Sequence, residues 1–172
     1  LSVYFIAKRF IQYGQVLVSS LVDPLLTKVA EVRQVDPGAL PGAYTSSGRY
    51  FIFLFVPLAV LLASTSPFLM AIVGGQRYLA GVGPLALLFL SLPFFAGFSH
   101  ITSFLFALGP PSERLRTNLV SSGMQALGIV SLMPFIGLAG LAVARIVGFG
   151  LGSLYARARV RHYMRIEVTD GG

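Results

Sequence analysis

The chain contains no cysteine and no tryptophan, and only six of its 172 residues are acidic. The absence of cysteine excludes a disulfide framework and thiolate metal sites. Charged residues make up 11% of the chain and apolar residues 55%, a balance that cannot supply the polar surface of a soluble domain. The sequence also lacks a Gly-rich phosphate loop, a metal-spaced His/Asp/Glu cluster and a nucleophile with its base. These absences argue against an enzyme, a cofactor and a metal site.

Long uncharged runs are the feature that the chain does have. Residues 51–73 and 117–144 carry no charged side chain, and 79–112 carry only His100. A helix needs ~20 apolar residues to cross the hydrocarbon core of a membrane. Transmembrane barrel strands would instead alternate apolar and polar residues. The runs therefore predict an all-α, multi-pass transmembrane helical bundle.

We predict a single transmembrane domain over residues 1–172, with five spans. Their expected bounds are 2–32, 49–73, 78–108, 113–134 and 138–159. The segment 34–48 is rich in proline, glycine and serine, which predicts a loop. Residues 160–172 form a basic tail. Because Leu1 stands part-way into an apolar segment, we expect the chain to be a fragment of a longer protein.

The positions of the basic residues predict the orientation. When five helices alternate, nine of the thirteen basic residues fall on one side, and only Arg77 falls in a break on the other. The nine are Lys28, Arg33, Arg49, Arg114, Arg116, Arg157, Arg159, Arg161 and Arg165. By the positive-inside rule, that side and the carboxy terminus face the cytoplasm. We therefore expect a protein of the cytoplasmic membrane. We expect the basic tail to contact anionic lipid rather than nucleic acid.

The first predicted helix carries a polar stripe on one face. At 100° per residue, the following side chains lie close to one line along it: Tyr4, Lys8, Gln12, Gln15, Ser19 and Asp23. Polar groups that face lipid cost several kcal/mol when unpaired. The stripe therefore predicts either the wall of a water-filled cavity that contacts a polar substrate or a polar seam between helices.

Five ionisable residues are candidates for function inside or at the rim of the apolar runs. Lys8 and Arg9 face a cavity or extend to the outer headgroups. Arg145, ~10 Å below the outer surface, is expected to face the interior because a charge in lipid costs roughly 2.5–3.5 kcal/mol. Asp23 and His100 are candidates for ion or proton coupling, with a structural hydrogen bond as the alternative for each.

Small residues recur at every fourth position of the last helix, at Gly140, Ala144, Gly148 and Gly152. We call them the small-residue ridge. Such ridges allow close approach of helix backbones within a membrane. The sequence predicts packing at this ridge, and packing within the chain cannot be separated from oligomerisation at this point.

Five short motifs, in order along the chain, resemble those of a transporter family. They are VYFIAKRF at 3–10, PLA at 57–59, GQRYLA at 75–80, LFALG at 105–109 and PFIGLAGLAVA at 134–144. Together they resemble motifs of polysaccharide flippases, which share a superfamily with the multidrug and toxin extrusion (MATE) transporters. The chain departs from the family pattern at two positions. The glycine that usually precedes the tyrosine is replaced by Ser2, which is shifted by one position, and Leu141 stands where alanine is common.

The resemblance implies the carboxy-terminal lobe of a twelve-helix, MATE-like protein, with the amino-terminal lobe of the same protein as its partner. Such flippases move lipid-linked oligosaccharides across the cytoplasmic membrane by alternating access. Lys8, Arg9 and Arg145 would then attract a diphosphate or acidic sugars, and Gln12 and Gln15 would bond sugar hydroxyls. Two alternatives stay open: a cation-coupled multidrug antiporter of the same fold, and a non-transporting membrane scaffold subunit.

Overall fold

The computed structural model describes the backbone of residues 2–170 and the side chains of residues 9–72, 75 and 79–165. Every regular element within these residues is helical, which confirms the all-α class. The α-helices are α1 Ser2–Val35, α2 Leu40–Ser64, α3 Ser66–Gly74, α4 Val82–Leu90, α5 Leu92–Leu108, α6 Pro111–Ile136 and α7 Leu138–Asp170. Two short 3-10 helices, Pro37–Ala39 and Gln76–Gly81, precede α2 and α4.

Proline and glycine set the breaks between the helices. Both α3 and α5 begin with a proline in the first turn, where a missing N–H costs nothing. Gly75 and Gly137 have φ angles of 69° and 57°, in the left-handed region that other residues rarely adopt. They end α3 and α6, and Gly137 turns the chain directly into α7.

Three core clusters show that neighbouring helices alternate in direction. Ile11 of α1 shares a cluster with Leu92 at the start of α5 and Ala142 near the start of α7. The later residues Val29, Leu105 and Val160 of the same three helices form a second cluster. The helices α1, α5 and α7 are therefore parallel to one another. A third cluster, of Val18 in α1, Phe55 in α2 and Ala96 in α5, lies between the other two along α1 and α5.

The helices between them run the opposite way. Leu40, at the start of α2, lies in the cluster of Val29, whereas Met70 of α3 lies in that of Ile11. In the same way, Glu113 at the start of α6 bonds Arg159 near the end of α7. The described residues thus form an up-down-up-down-up bundle.

The same alternation brings the nine grouped basic residues to one end of the bundle, which we call the basic end. An Arg33 guanidinium N–H donates to the carbonyl oxygen of Ala107 over 2.7 Å. Arg114 lies over the ring of Phe106, 4.9 Å from its centroid. The side chain of Arg77 lies outside the described residues.

Four helical stretches are long and apolar enough to cross a membrane. They are Pro37–Ser64, Leu79–Leu108, Pro111–Ile136 and Leu138–Arg165. These four are candidate membrane spans by length and hydropathy, which is the part of the multi-pass prediction that the structure supports. The fifth predicted span, α1, is not among them within the described residues. Its polar stripe and the charges of its last turns lower its hydropathy.

The predicted loop over 34–48 is wrong. Helix α1 continues to Val35, and α2 begins at Leu40 after one 3-10 turn. Asp36 stabilises that turn, because its Oδ1 accepts a hydrogen bond from the Gly38 N–H over 3.1 Å. Full burial of Leu40 in the core then fixes the start of α2, and Gly42, Ser46, Ser47 and Gly48 lie inside that helix.

Other predicted bounds differ as well. The second and third predicted spans are interrupted at Thr65 and Ser91. Helix α7 continues past its predicted end at 159 to Asp170, and most of the predicted tail is therefore helical. Val160 and Met164 explain this extension, because both are buried in the core cluster at the basic end.

Candidate functional site

The polar stripe of α1 forms one wall of a shallow open groove of about 610 Å³. The groove is lined by Gln12, Tyr13, Gln15, Val16, Ser19, Ser20 and Asp23, all from α1. The opposite side of the helix, at Ile11 and Val18, is buried in the core. No other described helix lines this groove, so the described part of the stripe, Gln12 to Asp23, is not a seam between described helices. We call this feature the α1 groove.

The α1 groove lies level with the apolar middle of the bundle. Ile11 packs with Phe89 and Leu92, and Val18 packs with Phe55 and Ala96. The three helices beside α1 at this level, α2, α4 and α5, belong to two candidate membrane spans. From Ile11 to Asp23 the helix rises ~18 Å, more than half of the ~30 Å of a hydrocarbon core.

The five candidate substrate-binding residues do not all meet in the structure. Gln12 is exposed and Gln15 half-buried, and both line the α1 groove. Arg9 is exposed, and the side chain of Lys8 lies outside the described residues. Arg145 does not line the α1 groove.

Arg145 is half-buried on the side of α7 that faces α5. Its guanidinium carbon lies 5.6 Å from the centroid of the Phe149 ring. That ring packs against Phe95 and Phe98, with centroids 5.2 Å and 5.6 Å away. This position agrees with an inward-facing arginine, held by a cation–π contact.

The two candidates for ion or proton coupling lie in different places. Asp23 is exposed in the α1 groove, whereas His100 is buried in α5. The Ser47 hydroxyl donates to the carbonyl of Ala43 over 2.6 Å, and its oxygen lies 2.8 Å from His100 Nε2. A hydroxyl that donates to Ala43 has no second proton, so in the tautomer with hydrogen on Nε2 the imidazole donates to Ser47. This bond fits the structural alternative for His100.

Aromatic rings complete the surroundings of His100. The ring centroids of Tyr44 and Phe51 each lie 5.3 Å from that of His100, and that of Phe104 lies 5.2 Å away. Gly48 allows this packing, because a Cβ there would lie 3.3 Å from the imidazole Cε1. The imidazole is therefore a packed part of the contact between α2 and α5.

A second cavity, which the sequence did not predict, lies between α2 and α7 over the surface of α5. Its volume is about 360 Å³. It is lined by Tyr44, Thr45, Gly48, Arg49, Phe51, Ile52, Pro93, Gly97, His100, Ile101, Arg157 and Arg161. We call it the arginine groove. The i, i+4 spacing of Arg157 and Arg161 places them on one face of α7, but only the fold brings Arg49 to them.

A buried ion pair at the basic end was also missed. Glu113 is 1% exposed, and Arg159 reaches it from α7 with two hydrogen bonds, Nε to Oε2 over 3.0 Å and an Nη2–H to Oε1. Arg116 adds a weaker contact of 3.4 Å. This bidentate pair joins α6 to α7.

The small-residue ridge of α7 packs against α6 within the chain. A Cβ at Gly140 would lie 2.8 Å from the backbone of Leu132, and one at Gly152 would lie 2.9 Å from Ser121 Cβ. Ala144 packs against Gly128. The ridge is thus occupied by the neighbouring helix of the same chain.

No family model, no curated protein and no solved structure matches this chain. Among the side chains that the structure describes, no group of three His, Asp or Glu residues is placed to hold a metal ion. The similarity to polysaccharide flippases stays a prediction from the five motifs.

Proposed function

We propose that the protein forms one lobe of a membrane transporter that moves lipid-linked oligosaccharides by alternating access, in the manner of polysaccharide flippases. The observation that supports this most is the open α1 groove. Gln12, Gln15 and Ser19 present amide and hydroxyl groups at the level of the apolar core. Such groups in lipid would cost several kcal/mol each. They are therefore expected to face water or a polar ligand.

The contrast with the other surfaces of the bundle supports this proposal. The outward side chains of α2 and α6 are large and apolar, with Phe53 81% and Val130 74% exposed. Those faces suit lipid. The α1 groove is suited to a solute rich in hydroxyl groups, because a glutamine amide both donates and accepts hydrogen bonds.

In this proposal the basic candidates attract the anionic part of the substrate. Arg145 is held half-buried against Phe149 and lies outside the α1 groove. Lys8 and Arg9 belong to the same helix as the α1 groove. Their guanidinium and ammonium groups suit a diphosphate or acidic sugars.

The test exchanges the two glutamines of the α1 groove together, Gln12→Leu with Gln15→Leu. The matched control is Gln34→Leu, because Gln34 is also exposed on α1 but lies outside the groove. The variants are placed in proteoliposomes that carry a fluorescent lipid-linked oligosaccharide. Transfer between leaflets is measured as the fraction of fluorescence that a membrane-impermeant reagent quenches. We expect the double variant to lose transfer and the control to retain it. Equal transfer by both would overturn the role of the groove.

A second candidate function is cation-coupled drug export by the same fold. The observation that favours it is Asp23, an exposed carboxylate at one end of the α1 groove. The same proteoliposomes, loaded with a cationic dye and given a proton gradient, separate the two functions. Dye export that is lost in Asp23→Asn, without transfer of the oligosaccharide, would favour the antiporter.

A further inference from the structure

The arginine groove has two chemically different ends. Its charged side chains are Arg49 from α2 and Arg157 and Arg161 from α7. Its opposite part is apolar, with Pro93 and Gly97 of α5 and Ile52 of α2. Arg157 and Arg161 lie level with the core cluster at the basic end, because Ala156 and Val160 beside them belong to it.

The groove is amphipathic along the direction of the helices. From Pro93 to Ile101 the axis of α5 rises ~12 Å toward the basic end. A chain lying along this floor would therefore pass from apolar residues to arginines. The floor is also open, because a Cβ at Gly97 would meet no atom within 4 Å.

The positive charge of the groove is not balanced by acids in the described part of the chain. Four acidic side chains are described there, and each has another place. Asp23 lines the α1 groove, Glu31 pairs with Lys28, Asp36 caps a 3-10 turn, and Glu113 pairs with Arg159. Three exposed arginines that line one groove repel one another, and a bound anion would relieve that repulsion.

We propose that the arginine groove binds the phosphate head group of a membrane lipid, with the hydrocarbon chain of that lipid along Gly97 and Pro93. Arginine suits this ligand because its planar guanidinium gives two parallel hydrogen bonds to phosphate oxygens. In a membrane, the apolar end of the groove would lie at the depth of the lipid chains, and the arginines would lie nearer the headgroups. This inference goes beyond the transport proposal, because a non-transporting membrane protein would bind the lipid equally well.

The binding test uses the protein in phosphatidylcholine nanodiscs, with retained lipid counted by native mass spectrometry. One arm adds phosphatidylglycerol, a second adds a polyprenyl phosphate, and a third adds inorganic phosphate alone. The variant Arg49→Gln with Arg157→Gln removes two of the three charges. Its control is Arg114→Gln, because Arg114 lies at the same end over Phe106 and not in the groove.

We expect at least one of the two lipid arms to bind, and that arm identifies the lipid. Its affinity falls by on the order of tenfold for each groove arginine removed, since a charge-assisted hydrogen bond contributes about that much. The control variant keeps its affinity. Equal affinity in the groove variant and the control would overturn the proposal, and so would the absence of binding in both lipid arms.

A second variant tests the hydrocarbon part without touching a charge. Gly97→Leu fills the floor of the groove, where a Cβ has open space, so the fold is retained. Its control is Gly123→Leu on α6, which also has open space and lies outside the groove. We expect only Gly97→Leu to weaken lipid binding. Binding of inorganic phosphate as tight as that of the lipid, unaffected by Gly97→Leu, would contradict a lipid ligand.

Discussion

Two glycines of α7 provide a matched test of how the last two helices pack. Gly148 is buried against α6, and a Cβ there would contact Gln125 Cγ and lie 3.0 Å from the Ser121 carbonyl oxygen. Gly150, on the same helix, would place a Cβ with no atom within 4 Å. The variants Gly148→Ala and Gly150→Ala therefore make the same chemical change in a crowded and an open position.

The expected magnitude follows from two opposing effects. Exchange of glycine for alanine inside a helix stabilises it by about 1 kcal/mol at either position. Overpacking at Gly148 costs ~1–3 kcal/mol, because the backbone of α6 has to move away. The helix preference cancels between the two variants, so their free energies of unfolding differ by ~1–3 kcal/mol. For a chain of this size that corresponds to roughly 2–12 °C in melting temperature.

The assay is thermal unfolding of the two purified variants in the same detergent, followed by loss of the helical circular-dichroism signal. We expect Gly150→Ala to melt at or above the temperature of the unaltered protein. Gly148→Ala should melt below Gly150→Ala by the difference given above. Equal melting temperatures would refute the close packing of the small-residue ridge against α6.

Two further stability predictions concern buried polar groups of α6. Arg159→Gln leaves the Glu113 carboxylate buried with the weak Arg116 contact and a hydrogen bond from Tyr155. This should lower the free energy of unfolding by about 2–3 kcal/mol, less than for a fully buried pair because 34% of the Arg159 side chain is exposed. Adding Glu113→Gln should recover part of that loss in urea titrations. Thr117→Val should raise the free energy of unfolding by about 1 kcal/mol, and the melting temperature with it. The reason is that Thr117 Oγ1 is buried without a hydrogen-bond partner among the described residues. A lower melting temperature for Thr117→Val would reveal a partner for that hydroxyl.

The helices and their grouping at the basic end follow from local sequence. Apolar runs such as 117–144 contain the information for a span within themselves, because crossing a membrane depends on the length and hydropathy of one segment. Arg145 was likewise expected to face inward from its depth alone. The structure places it half-buried beside Phe149.

The errors came from contacts between distant residues. The segment 34–48 has loop composition, but burial of Leu40 in the core makes its second half helical. The same core cluster holds Val160 and extends α7 beyond its predicted end. The arginine groove forms because the fold places Arg49 of α2 and Arg157 of α7 around one cavity over α5. No local pattern indicates which helices will be neighbours.

The tight turn at Gly137 has a consequence for how the protein enters a membrane. It joins α6 and α7 into a hairpin whose two ends, with Glu113 and Arg159, remain together at the basic end. Residues 117–144 are uncharged, so the leading part of the hairpin carries no charge through the hydrocarbon. Between residues 117 and 156, Arg145 is the one charged residue. Placing its charge in lipid costs roughly 2.5–3.5 kcal/mol. The hairpin is therefore suited to insert as one unit, with the ion pair of Glu113 and Arg159 joining its two ends.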